Sequence, residues 1–105
     1  MQPELGRKFD YILGKATGNI HNTQRSLAML RQMERIGLPD NSLTRKILKD
    51  HFTKVLNDPN NILRIQPNGR TVRESLLMGP RGGVKVESIW ERTKLITVKL
   101  LGAGG

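Results

Sequence analysis

After Asn61 the apolar residues of this 105-residue chain stop recurring every three or four positions and begin to alternate. That change of period constrains the fold more than any single motif does. A 3.6-residue repeat buries one face of a helix, and a two-residue repeat buries one face of a strand. Upstream, Leu27, Leu30, Met33 and Ile36, broadened by Met29, predict a helix from about Thr23 to Ile36. Gly37 suits the left-handed residue that closes such a helix, and Pro39 follows where a helix cannot continue. Ser42 suits the N-cap of a second helix with the face Leu43, Ile47, Leu48, Phe52, Val55 and Leu56. Asp58-Pro59-Asn60 ends it. The stretch from Arg7 to Leu13 fits either a helix or an extended segment.

Downstream, Ile62-Leu63-Arg64-Ile65, Thr71 to Met78, Val84 to Glu91 and Lys94 to Leu101 read as four strands. Pro67-Asn68-Gly69, Gly79-Pro80-Arg81-Gly82-Gly83 and Arg92-Thr93 are the turns between them. Helices followed by strands with short antiparallel connections predict an α+β fold: N-terminal helices packed on one face of a C-terminal twisted antiparallel sheet. The length suits one domain over residues 1–105, with Gly102-Ala103-Gly104-Gly105 as a flexible tail.

Charge narrows the function. Eighteen Lys and Arg against nine Asp and Glu give +9 and a pI near 10.7. Such an excess favours polyanionic partners, RNA or DNA first, over an acidic protein. There are no cysteines, so disulfides, thiolate metal sites and a cysteine nucleophile are excluded. Two histidines and nine carboxylates supply a metal site poorly, and neither metal nor cofactor is expected. No apolar stretch reaches the about 20 residues of a membrane span, so no membrane anchor is expected. Met1-Gln2-Pro3-Glu4 lacks the basic start of a secretory signal.

Two regions can carry chemistry. If Arg92-Thr93 is a plain two-residue loop, Ile89 lies opposite Ile96 and Ser88 opposite Thr97. One face then holds Ile89, Ile96, Val98 and Leu100. The other holds Ser88, Trp90, Thr97 and Lys99, joined by Arg73 and Ser75. That face is either an ordinary solvated surface or one on which bases stack. The second region, Gly14 to Asn22, is a glycine-bearing polar loop before a helix, where backbone amides can meet a phosphate. His21 taken alone reads as a capping or packing residue, and Arg25 projects on its side one turn later. His51, between Leu48 and Phe52, reads as a packed histidine and is left out of the site. Metal-free RNA cleavage needs a base for the 2′-OH, an acid for the leaving oxygen, and cations or hydroxyls for the phosphorane. His21 suits the proton transfers; Lys15, Arg73, Lys99 and Thr97 suit the charge.

The runs Tyr11-Ile12-Leu13-Gly14-Lys15-Ala16-Thr17-Gly18, His21-Asn22 and Arg25-Ser26 resemble the opening of bacterial polymorphic-toxin C-terminal domains. Arg73 to Gly83, Ser88-Ile89-Trp90 and Thr97-Val98 resemble their sheet. The resemblance spans about residues 9 to 101. It points to toxin tips delivered by contact-dependent growth inhibition, many with the fold grouped as barnase, EndoU, colicin and RelE. It implies an endoribonuclease, often a tRNase, delivered by a larger secreted protein into a target-cell cytoplasm. The free toxin is expected to be a monomer and to be neutralised by an acidic immunity protein. It also implies His21 and Lys15 as acid/base and phosphate groups, with Arg73, Ser75, Trp90 and Thr97 on the sheet. A non-catalytic RNA- or DNA-binding module and a basic adaptor for an acidic protein are the alternatives.

Overall fold

The computed structural model describes residues 1–101, so the glycine-rich ending lies outside the described residues. The elements are α1 (Lys8–Ile12), α2 (Ile20–Arg35), α3 (Ser42–Asn57), a 3-10 turn (Pro59–Asn61), β1 (Ile62–Ile65), β2 (Thr71–Gly79), β3 (Gly82–Glu91) and β4 (Lys94–Leu101). The four strands form one antiparallel sheet in the order β1-β2-β3-β4. The predicted α+β arrangement is the observed one.

The helix boundaries follow from their caps. α2 starts three residues before the predicted Thr23, because the Asn19 side chain accepts from the Asn22 amide at 2.9 Å. His21 therefore stands in the first helical turn, not in a loop. α3 is capped by Asn41, which accepts from the Thr44 amide at 2.8 Å, and Ser42 is the first helical residue. Both residue types cap well, and the one with extended backbone takes the role. At the far end of α2, Gly37 adopts φ 85°. The Leu38 amide reaches back to the Met33 carbonyl at 2.9 Å and the Gly37 amide to Glu34 at 3.0 Å. This is a Schellman closure, in which a left-handed glycine satisfies carbonyls the helix leaves open.

One core joins Ile12, Leu13, Met29, Met33, Ile36, Leu48, Phe52, Val55 and Leu56 to Leu77, Val84, Val86, Trp90, Leu95 and Val98 of the sheet. Leu27 and Leu43, assigned to the apolar stripes, are exposed, and their neighbours Ser26 and Thr44 are buried instead. The inward serine is fully satisfied. Its hydroxyl donates to the Tyr11 carbonyl at 2.6 Å and accepts from the Ala16 amide at 3.1 Å. Burying it costs little on that account.

The last hairpin departs from the predicted register. Glu91 pairs with Lys94 as expected, but Trp90 pairs with Leu95 and Ile89 with Thr97, so Ile96 is the extra residue of a bulge. Ser88 consequently faces Val98, not Thr97. One added residue exchanges the faces. Trp90, Ser88 and Val86 turn toward the helices, together with their β2 partners Thr71, Arg73 and Ser75. Thr97 and Lys99 pair with Ile89 and Glu87 on the opposite face. The indole has far more apolar area to bury than Ile89, and the register that buries it prevails.

Candidate functional site

The edge of β4 is only partly covered. Glu4 forms a parallel bridge with Lys94: its amide donates to the Thr93 carbonyl at 2.8 Å and its carbonyl accepts from Leu95 at 3.0 Å. Beyond that point a groove of about 770 Å³ opens between α1, α2 and β4. Residues of both sheet faces reach it because it runs along an edge: Val98 and Leu100 from one, Thr97 and Lys99 from the other. The bulged Ile96 lines it too. From α1 come Lys8 and Tyr11, and from α2 come Asn22, Arg25, Ala28, Met29 and Gln32. Three lining residues are cationic and none is acidic. The volume falls within the roughly 300–1,000 Å³ of ordinary ligand sites.

Of the predicted residues, the groove gathers Arg25, Thr97 and Lys99. His21 does not line it. It lies four, seven and eleven residues before Arg25, Ala28 and Gln32, which at helical spacing places it on the same face of α2, one turn beyond the lining residues. Its side chain is exposed there.

The other predicted residues are elsewhere. Trp90, assigned to base stacking, is 1% exposed; its indole donates to Ser88 Oγ at 3.0 Å and meets Phe52 edge-on with centroids 6.2 Å apart. Ser88, assigned to substrate binding, is itself fully buried. Arg73 does not reach a sheet surface. Its Nη1 donates to Asp58 O and Asn61 Oδ1, each at 2.8 Å, and to Val55 O at 3.3 Å. A guanidinium on the last carbonyls of α3 suits the negative end of the helix dipole. Ser75 Oγ lies 2.9 Å from His51 Nε2. Lys15 pairs with Asp40 at 2.9 Å, and Lys15 and Arg45 together hold that carboxyl below its usual range. In the Gly14–Asn22 segment two of the backbone amides are already engaged. The Lys15 amide bonds to Asp10 O and the Ala16 amide to Ser26 Oγ. Gly14 is required there by its φ of 81° and by Leu30, whose side chain would stand 2.8 Å from an added Cβ.

Sequence reasoning missed Lys8, Tyr11, Asn22 and Gln32. A signal for the last two existed: Asn22, Arg25, Met29 and Gln32 recur at helical spacing beside the apolar stripe.

A second, smaller cavity of about 290 Å³ lies at His51, Lys54, Asp58, Asn61, Glu74 and Ser75. Burial, with a smaller contribution from Lys54, pushes the His51 imidazole down to about 4. Between pH 4 and the ordinary value of 6.5 the unfolded chain takes up a proton that the folded chain refuses. Stability is therefore full above 6.5 and falls on acidification through that window, by about 3 kcal/mol in all. Urea unfolding of wild type and His51→Gln at a series of pH values is expected to show a flatter dependence in the variant. Equal slopes would remove His51 as the cause.

No protein-family model matches the chain, and no curated protein matches it. A solved structure, a contact-dependent growth inhibition toxin–immunity protein complex from Klebsiella pneumoniae 342, contains a chain similar to this one. The two share 31% identity and superpose with a TM-score of 0.78, over 95% of this chain and 94% of that one.

Proposed function

Because the chain belongs to the family represented in that contact-dependent growth inhibition complex, we propose that it is the toxin member and a metal-independent endoribonuclease, with tRNA as its substrate class. One observation carries the reading: a groove lined by Lys8, Arg25 and Lys99 with no carboxylate, on a chain of net charge +9. Such a groove attracts a polyphosphate backbone, and a protein that competes for it must itself be acidic. The immunity protein is then the acidic member of the pair. Delivery by a larger secreted protein into the target-cell cytoplasm fits the same family.

In the proposed reaction the RNA backbone lies along the groove. Arg25, Lys8 and Lys99 neutralise the charge that grows on the phosphorane, and the hydroxyl of Thr97 donates to it. His21, at the end of the same helix face, transfers a proton between the 2′-OH or the leaving 5′-oxygen and solvent. Tyr11, which also lines the groove, is assigned the opposite transfer. Among the described residues no three His, Asp or Glu side chains converge as metal ligands. Cleavage of total tRNA, followed on denaturing gels, is expected to persist in excess EDTA. Loss of cleavage in EDTA with recovery on adding Mg²⁺ would defeat the mechanism. Shifted but uncut tRNA would point to a binding module.

A further inference from the structure

The groove presents main chain as well as side chains. β4 is an outer strand of the sheet, and Glu4 covers its edge only at Thr93 to Leu95. From there on Ile96, Thr97, Val98, Lys99 and Leu100 all line the groove. Consecutive strand residues from both faces of a sheet line one cavity only where that cavity follows the strand's edge. Along such an edge alternate residues turn their amide and carbonyl outward, ready to pair with another chain. Among the described residues no strand pairs with β4 on that side beyond the Glu4 bridge.

Glu4 shows what this edge accepts. It lies beside Lys94 as a one-residue parallel strand, its amide donating to Thr93 O at 2.8 Å and its carbonyl accepting from the Leu95 amide at 3.0 Å. A further segment of about five residues, at about 3.3 Å each, would run the length of residues 96–100 at about 4.8 Å from β4. Charge selects that segment. Lys8, Arg25 and Lys99 line the groove without a carboxylate, which favours a strand bearing Asp or Glu and opposes a second copy of this +9 chain. The other edge strand, β1, is four residues long and irregular in register, and its Arg64 is already paired with Glu87 at 3.0 Å.

We propose that the groove is a strand-docking site, in which an extended acidic segment of a protein partner adds to the β4 edge as a fifth strand. Its backbone continues the ladder, and its carboxylates meet Lys8, Arg25 and Lys99. Equating this partner with the immunity protein rests on the reading of the chain as the toxin. A strand seated there excludes RNA from the same groove, so neutralisation needs no change in the fold.

The test uses a capped octapeptide of alternating glutamate and valine. Fluorescence anisotropy is expected to show it binding wild type and binding Arg25→Ala more weakly, while the matching lysine–valine peptide does not bind. Two analogues keep every side chain and charge but carry N-methyl groups on alternate amides, at the glutamates in one and at the valines in the other. A strand turns one alternate set toward its partner, so one analogue should bind as the parent does and the other about tenfold more weakly. In nitrogen-15-labelled protein the parent peptide should slow amide hydrogen exchange within residues 96–100 and leave residues 62–65 unchanged. It should also displace a labelled 2′-O-methyl RNA, which binds without being cut. No binding of the acidic peptide, equal binding of the two analogues, or protection at residues 62–65 instead overturns the strand docking, whatever the tRNA cleavage assay gives. Protection at residues 96–100 without displacement of the RNA keeps the strand site and overturns the groove as the RNA site.

Discussion

His21→Ala is expected to reduce single-turnover cleavage of tRNA by about 10²–10⁴-fold, the usual loss when a positioned proton carrier is removed. The structure sharpens this expectation in two ways. His21 is in the first turn of α2, capped by Asn19, so its Cα is fixed by the helix. It is also exposed and outside the core, so its removal should leave the fold and melting temperature unchanged. RNA affinity should fall only slightly, because Lys8, Arg25 and Lys99 remain. A full loss of rate with little loss of binding is the pattern of an interaction made in the transition state. Near-normal cleavage by a folded His21→Ala protein would exclude the histidine, and Tyr11 would become the first proton donor to replace.

The second large effect is on stability. Trp90→Ala should cost about 3–5 kcal/mol, the usual range for emptying the site of a buried large aromatic. Two contacts fail together. The indole is packed edge-on against Phe52, which in turn stacks on Phe9 at 6.4 Å and meets His51 at 5.3 Å. Its Nε1 donates to Ser88 Oγ, a fully buried hydroxyl whose only other partner among the described residues is Arg73 O at 3.5 Å. Small domains have about 5–15 kcal/mol in total, so the variant should melt roughly 15–30 °C lower or fail to fold at 37 °C. Trp90→Phe should lose less, since a ring still meets Phe52 while only the hydrogen bond to Ser88 is gone. Circular dichroism melts of both variants provide the check. A Trp90→Ala protein that melts within a few degrees of wild type but binds RNA weakly would return the indole to the surface.

Much of the architecture was readable from local pattern. The period change at Asn61, the Gly37-Pro39 stop and the turn residues at 67–69 and 92–93 place elements that the structure confirms to within a few residues at most. Those signals are local: a cap, a left-handed glycine and an alternation each act over four or five residues. The strong positive charge was likewise fixed by composition, and with it the expectation of a polyanion site. Arg25, Thr97 and Lys99 were named from the sequence, and they meet at the groove.

What the sequence could not decide is which face of the last hairpin looks inward. The residues of both faces alternate almost equally well, and a single bulge at Ile96 exchanges them. Only the choice between burying Trp90 and burying Ile89 settles it, and that choice depends on Phe52, thirty-eight residues away in the chain. The bulge sets Trp90, Ser88, Arg73 and Ser75 on the helix side of the sheet and Thr97 and Lys99 on the other. Glu4 likewise covers one end of the β4 edge from the far end of the chain, leaving the rest to form the groove wall. Periodicity determined the elements because it is a property of neighbouring residues. The site is a meeting of α1, α2 and β4, and only the packing of their apolar faces against one another brings those three together.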